Sequence, residues 1–185
     1  MIDELLLETE DHMQKAIEAL EAKLRAIRTG RASPALIEQV MVDYYGTPTP
    51  LRQLAVIAAP EPQLLTVRPY DPGSIGEIER AILKSELGLT PSNDGRIVRL
   101  PIPRLTEERR KELAKMVRQR VEEGKVSLRN IRREALDDMR DFEKEKIVSE
   151  DEFFRGKDRL QELTDEYTKQ MDEISNRRQE EIMEG

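Results

Sequence analysis

Apolar side chains recur at steps of three and four along three long stretches of this chain, and a proline-rich segment separates the first stretch from the other two. Such steps return to one face of a helix with about 3.6 residues per turn, so the spacing predicts three amphipathic helices. The first covers 2–28, with Ile2, Leu5, Leu6, Met13, Ala16, Ile17, Leu20, Leu24 and Ile27 on its stripe. The second covers 106–147, with Leu113, Met116, Val117, Val121, Leu128, Ile131, Ala135, Met139 and Phe142. The third follows Ser149, with Phe153, Leu160, Leu163, Tyr167, Met171, Ile174 and Ile182. At about 1.5 Å per residue they span roughly 40, 60 and 50 Å. None can bury its stripe alone, and packing together as an elongated three-helix bundle removes all three from water.

The ends of these helices carry local signals. Gly30 can take the left-handed conformation that stops the first. Thr106 is placed to cap the second and Ser149 the third, with acidic residues in both first turns where the helix dipole favours them. Gly124 falls on the apolar side of the second helix and reads as a point of close packing.

The prolines gather in the middle segment, where every apolar run is short. Residues 40–45, 55–58, 64–67 and 96–100 read as strands, with turns at "GTPTP" and "APEPQ". Residues 74–87 fit an amphipathic helix ended by Gly88, and "TPSNDG" reads as a loop. The "GSIG" at 73–76 fits a helix start better than an RNA-binding GxxG loop. The fold class is therefore α+β. The bundle comprises 1–30 and 104–185, and 31–103 form a small inserted α/β domain. The chain leaves the bundle through Gly30-Arg31 and returns through Pro103-Arg104, a two-stranded hinge.

Charge narrows the function. The net charge is −7, which argues against a generally basic nucleic-acid binder. Residues 104–133, however, hold eleven basic and five acidic side chains, while 134–185 hold nine and eighteen. At about 100° per residue, Lys111, Lys115, Arg118, Lys125, Arg129 and Arg132 share one face of the second helix, with Arg133 beside it. The apolar stripe lies on the far side, so this face is expected to point to solvent. Lys125 to Arg133 contain four cations and no acid, and like charges so close repel. A polyanion partner accounts for that cost. No aromatic residue lies between 71 and 141, which disfavours base stacking and points to a structured RNA backbone read by charge and shape.

Other functions find less support. The one histidine, His12, lies beside an apolar stripe, and no phosphate loop, nucleophile elbow or metal-spaced cluster occurs. No catalytic residue, metal or cofactor is expected. A helical adaptor is the rival, and it would need an exposed apolar patch. No stretch of roughly 18 apolar residues marks a membrane span. The absence of cysteine and of a leader pattern permits a cytoplasmic location, and a monomer is expected.

The motifs "RTGRASPALIEQVMVDYYGTPTPLRQLA", "ILKSELGLTPSNDG", "GRIVRLPIPRLTEERRKEL" and "VSLRNIRREA" run through the chain in this order. In them it resembles the bacterial ribosome recycling factors. That resemblance implies an L-shaped molecule like transfer RNA. It also implies binding to the post-termination ribosome and, with elongation factor G and GTP hydrolysis by that factor, splitting into subunits and release from mRNA. It implies no enzymatic activity in this chain. The family's arginines at the bundle tip, which contact large-subunit RNA, match Arg28, Arg31, Arg129, Arg132 and Arg133. "TEERRKEL" adds Arg109 and Arg110 near the hinge end of the second helix. The expected RNA-binding set is Arg28, Arg31, Arg110, Lys111, Lys115, Arg118, Lys125, Arg129, Arg132 and Arg133.

Overall fold

The computed structural model describes residues 1–27 and 29–184. Two compact units emerge, Met1–Thr29 with Glu107–Glu184, and Gly30–Thr106.

The first unit is a three-helix bundle of α1 (Ile2–Arg25), α4 (Glu107–Lys144) and α5 (Glu150–Glu184). Each helix packs on the other two. Leu6, Met13, Ile17, Leu20, Leu24, Leu113, Val117, Val121, Leu128, Met139, Leu160, Tyr167, Met171 and Ile182 are buried. At about 1.5–3 kcal/mol per buried large aliphatic side chain, this seam is the main source of cohesion. Met116 of the expected stripe is 37% exposed, whereas Thr9, Thr164 and Ser175 are buried. The two threonines pass unnoticed in the apolar pattern because each hydroxyl is satisfied within its own helix. Thr9 Oγ1 donates to Leu5 O at 2.7 Å and Thr164 Oγ1 to Leu160 O at 2.8 Å.

Gly124 is a close-packing point: a Cβ built there would lie 3.1 Å from Met171 Sδ and 3.5 Å from Leu20 Cδ2. Ser149 caps α5, its Oγ accepting from Glu152 N at 3.1 Å. The first helix stops earlier than expected, at Arg25. Gly30 has φ +80° but lies beyond the last turn, so it serves the crossing rather than the helix end.

The second unit contains a hairpin of β1 (Met41–Tyr44) and β2 (Thr47–Pro50). The four-residue helix α2 (Leu51–Leu54) leads into β3 (Ala55–Glu61) and β4 (Leu64–Pro69). Then come α3 (Ile75–Lys84), β5 (Ser92–Asn93) and β6 (Val98–Pro101). The larger sheet is antiparallel in the order β3-β4-β6-β5, and α3 packs against β1. Val42, Leu51, Leu65, Val67, Ile78, Ile82, Val98 and Leu100 form its core.

Strand β2 occupies the stretch read as the turn "GTPTP". The turn itself is Tyr45-Gly46, with φ +49° and +84°, and Tyr44 pairs directly with Thr47. Pro48 and Pro50 are tolerated because β2 has a neighbour on one side only. Strand β6 begins two residues later than expected because Asp94 Oδ1 accepts from Arg96 N and Ile97 N, both at 2.9 Å.

Both crossings are tied to one turn of this unit. Ala32 N donates to Pro62 O at 2.7 Å, Ile102 N to Gln63 O at 2.8 Å, and Gln63 Nε2 to Gly30 O at 3.0 Å. Arg31, Pro103 and Arg104 are exposed. Among the described residues no helix is long and apolar enough to cross a membrane.

Candidate nucleic-acid interface

Helix α4 holds its cations because its apolar residues are committed to the bundle. Leu113, Val117, Val121, Leu128 and Ala135 are buried, which turns the intervening basic residues outward or along the edge of the seam. From Lys111 to Arg133 the helix rises about 33 Å at 1.5 Å per residue.

The face is not uniformly turned to solvent, as the helical wheel suggests. Arg118, Lys125 and Arg132 are seven residues apart, and each reaches a side chain of α5. Arg118 Nη1 donates to Gln179 Oε1 at 3.0 Å, and Arg132 Nη1 to Gln161 Oε1 at 3.3 Å. Lys125 Nζ lies 2.5 Å from Asp172 Oδ1. The seven-residue period drifts only about 20° around a straight helix, so all three stay on the edge facing α5.

The remaining cations differ in how far their charge is cancelled. Lys111 Nζ is 3.6 Å from Glu107 Oε1, and Arg129 Nη2 is 3.2 Å from Glu122 Oε1. Arg109 pairs with Glu112 at 2.9 Å, and Arg110 donates from Nη1 to Met183 O at 3.3 Å. Lys115 and Arg133 are exposed on the opposite edge of the face. Exposed pairs of this kind contribute about 0–1 kcal/mol, so they open readily when a phosphate competes.

Arg129, Arg132 and Arg133 do not lie at an end of α4. They lie well inside the helix, which ends at Lys144, and about 33–39 Å along it from its start at Glu107. Arg31 belongs to the other unit, and Arg28 lies outside the described residues. What the fold does assemble is a strip along α4, bordered by α5. Gln161, Asp172 and Gln179 on that border escaped the sequence reading. The heptad spacing of 118, 125 and 132 was the available signal, because in an antiparallel bundle such positions flank the seam.

Another side of the bundle has the opposite sign. A groove of about 460 Å³ between α1 and α5 is lined by Asp3, Glu10, Glu162 and Glu166, with Leu6, Leu7, Leu163 and Arg159. The local charge there disfavours a polyanion. No group of three or more potential metal ligands occurs among the described residues.

The comparisons with known proteins agree with one another. The profile of the ribosome recycling factor family matches residues 20–183. The ribosome-recycling factor of Carboxydothermus hydrogenoformans is 54% identical over 183 residues, covering 99% of each chain. That of Roseiflexus castenholzii is 55% identical over 184 residues, covering all of both. A solution structure of the ribosome recycling factor superposes with a TM-score of 0.76 at 38% identity, covering 100% of this chain and 98% of the other. A second structure has a TM-score of 0.66 at 47% identity and covers 98% of each chain. It concerns the T. thermophilus ribosome recycling factor and the E. coli elongation factor G bound to the E. coli post-termination complex.

Proposed function

The chain belongs to the ribosome recycling factor family, and from that premise we propose how its two units do the work. The α4 strip anchors the bundle on the phosphate backbone of large-subunit RNA. Elongation factor G acts on the inserted unit, and the crossings at Gly30-Arg31 and Pro103-Arg104 form the joint about which it is driven. The lever so formed breaks contacts between the subunits and frees the ribosome from mRNA. GTP hydrolysis by elongation factor G supplies the energy. This protein is not itself an enzyme and contributes shape, charge and a bendable joint. The reading places it in the cytoplasm, as a monomer.

The observation that carries this reading is the strip itself: Lys111, Lys115, Arg118, Lys125, Arg129, Arg132 and Arg133 on one helix of a protein of net charge −7. Phosphate contacts release counterions, so binding to large subunits should weaken steeply with salt. Titrating the protein against large subunits at graded salt tests it. A steep inverse slope supports the anchor, whereas salt-independent binding would point to apolar docking and the adaptor reading.

A further inference from the structure

Two arginines of the strip are held by neutral acceptors, and their neighbours by carboxylates. Gln161 receives Arg132 and Gln179 receives Arg118, whereas Asp172 and Glu122 receive Lys125 and Arg129. A carboxylate cancels most of its partner's field at a distance, while an amide oxygen fixes the guanidinium and leaves its charge whole.

The orientation of Gln161 is imposed from both ends. Its Nε2 donates to Asp165 Oδ1 at 2.9 Å, one turn further along α5. A carboxylate can only accept and a guanidinium can only donate, so the amide nitrogen must face Asp165 and the oxygen must face Arg132. The contact uses one of the five N–H donors of the guanidinium. The side chain of Arg132 is half-buried against α5. Holding it there in advance lowers the conformational entropy lost when a phosphate binds.

We propose that Gln161 is a positioning residue for RNA binding: its neutral oxygen holds Arg132 at the edge of the α4–α5 seam without pairing it directly to a carboxylate, so that a pre-positioned guanidinium meets a phosphate. The inference rests on the reading of α4 as the RNA anchor.

The test compares full-length variants for binding to purified large ribosomal subunits over a range of salt, with thermal melting of each. Arg132→Ala examines the anchor reading itself and should weaken binding about tenfold, as expected for loss of a charge-assisted contact. Gln161→Glu keeps the size and the acceptor but adds a charge beside Arg132 and replaces the donor to Asp165 with a second carboxylate. It should weaken binding by a similar factor and make the salt slope shallower by about one phosphate contact. Gln161→Met has similar length but no acceptor; it leaves Arg132 charged yet unfixed and should weaken binding less, with the slope unchanged. Melting of Gln161→Met should match that of the parent. Adding Gln161→Met to Arg132→Ala should cost nothing more. If Arg132→Ala weakens binding while Gln161→Met binds as the parent does, the positioning role is overturned and the anchor stands, whatever Gln161→Glu does through its added charge. If Arg132→Ala also binds normally, the role of Arg132 in the anchor falls, and the inference with it.

Discussion

Arg178 on α5 donates from Nη2 to two carbonyl oxygens at the end of α1, Leu24 O and Ile27 O, each at 2.8 Å. The last carbonyls of a helix lack partners within it, and the helix dipole makes that end negative. A guanidinium with little exposure answers both needs and pins α1 to α5. Removing it should cost about 1.5–3 kcal/mol, the range for hydrogen bonds to charged groups. Arg178→Ala should therefore lower the urea midpoint and speed amide exchange at the end of α1. Arg178→Lys should recover only part of the loss, because a single ammonium does not reproduce the planar fork. Unchanged exchange near Leu24 would show that the end of α1 is held by packing alone.

The start of α5 depends on Ser149, whose Oγ satisfies the N–H of Glu152. Ser149→Ala should destabilise the bundle by about 1 kcal/mol, and Ser149→Asp should restore it. Denaturant unfolding of the three proteins checks this, and equal stability of all three would contradict it.

In the inserted unit, Asp94 accepts from Ile97 N and Arg96 N and pairs with Arg99, which lowers its pKa from 3.8 to about 2. A carboxyl whose folded pKa is depressed stabilises the fold above its unfolded pKa and loses that contribution as pH falls through the folded value. The window is therefore pH 3.8 down to about 2. Asp94→Asn should be less stable at neutral pH, and its deficit against the parent should shrink across that window. Parallel melting curves for the two proteins from pH 5 to pH 2 would contradict the assignment.

The strip on α4 should divide into anchoring and already paired cations. Arg133→Ala and Lys115→Ala should each reduce the salt slope of large-subunit binding by about 1, as expected for loss of one phosphate contact. Lys125→Ala should change the slope less, because Asp172 already neutralises that ammonium. A larger effect from Lys125 than from Arg133 would reverse this order.

The long helices could be read from sequence because a period of 3.6 residues is a local property of one chain segment. Met13, Leu20, Leu128 and Met171 all declared themselves this way. What escaped involved partners far apart in the chain or residues whose chemistry runs against type. Arg178 caps a helix that ended about 150 residues earlier, and nothing local marks it. Gln161 and Gln179 gain meaning only when α5 lies beside α4. Pro48 and Pro50 hid β2, because proline argues against a strand unless the strand lies at an edge. The basic face was legible as a pattern, but its division between solvent and seam depended on packing.

Sedimentation of post-termination ribosomes tests the account most directly. They would be incubated with this protein, elongation factor G and GTP, and omission of each component would serve as control. Loss of the intact-ribosome peak is expected only when all three are present, with subunit peaks rising in its place. Persistence of the intact peak, with the protein bound to it and elongation factor G active, would contradict the lever.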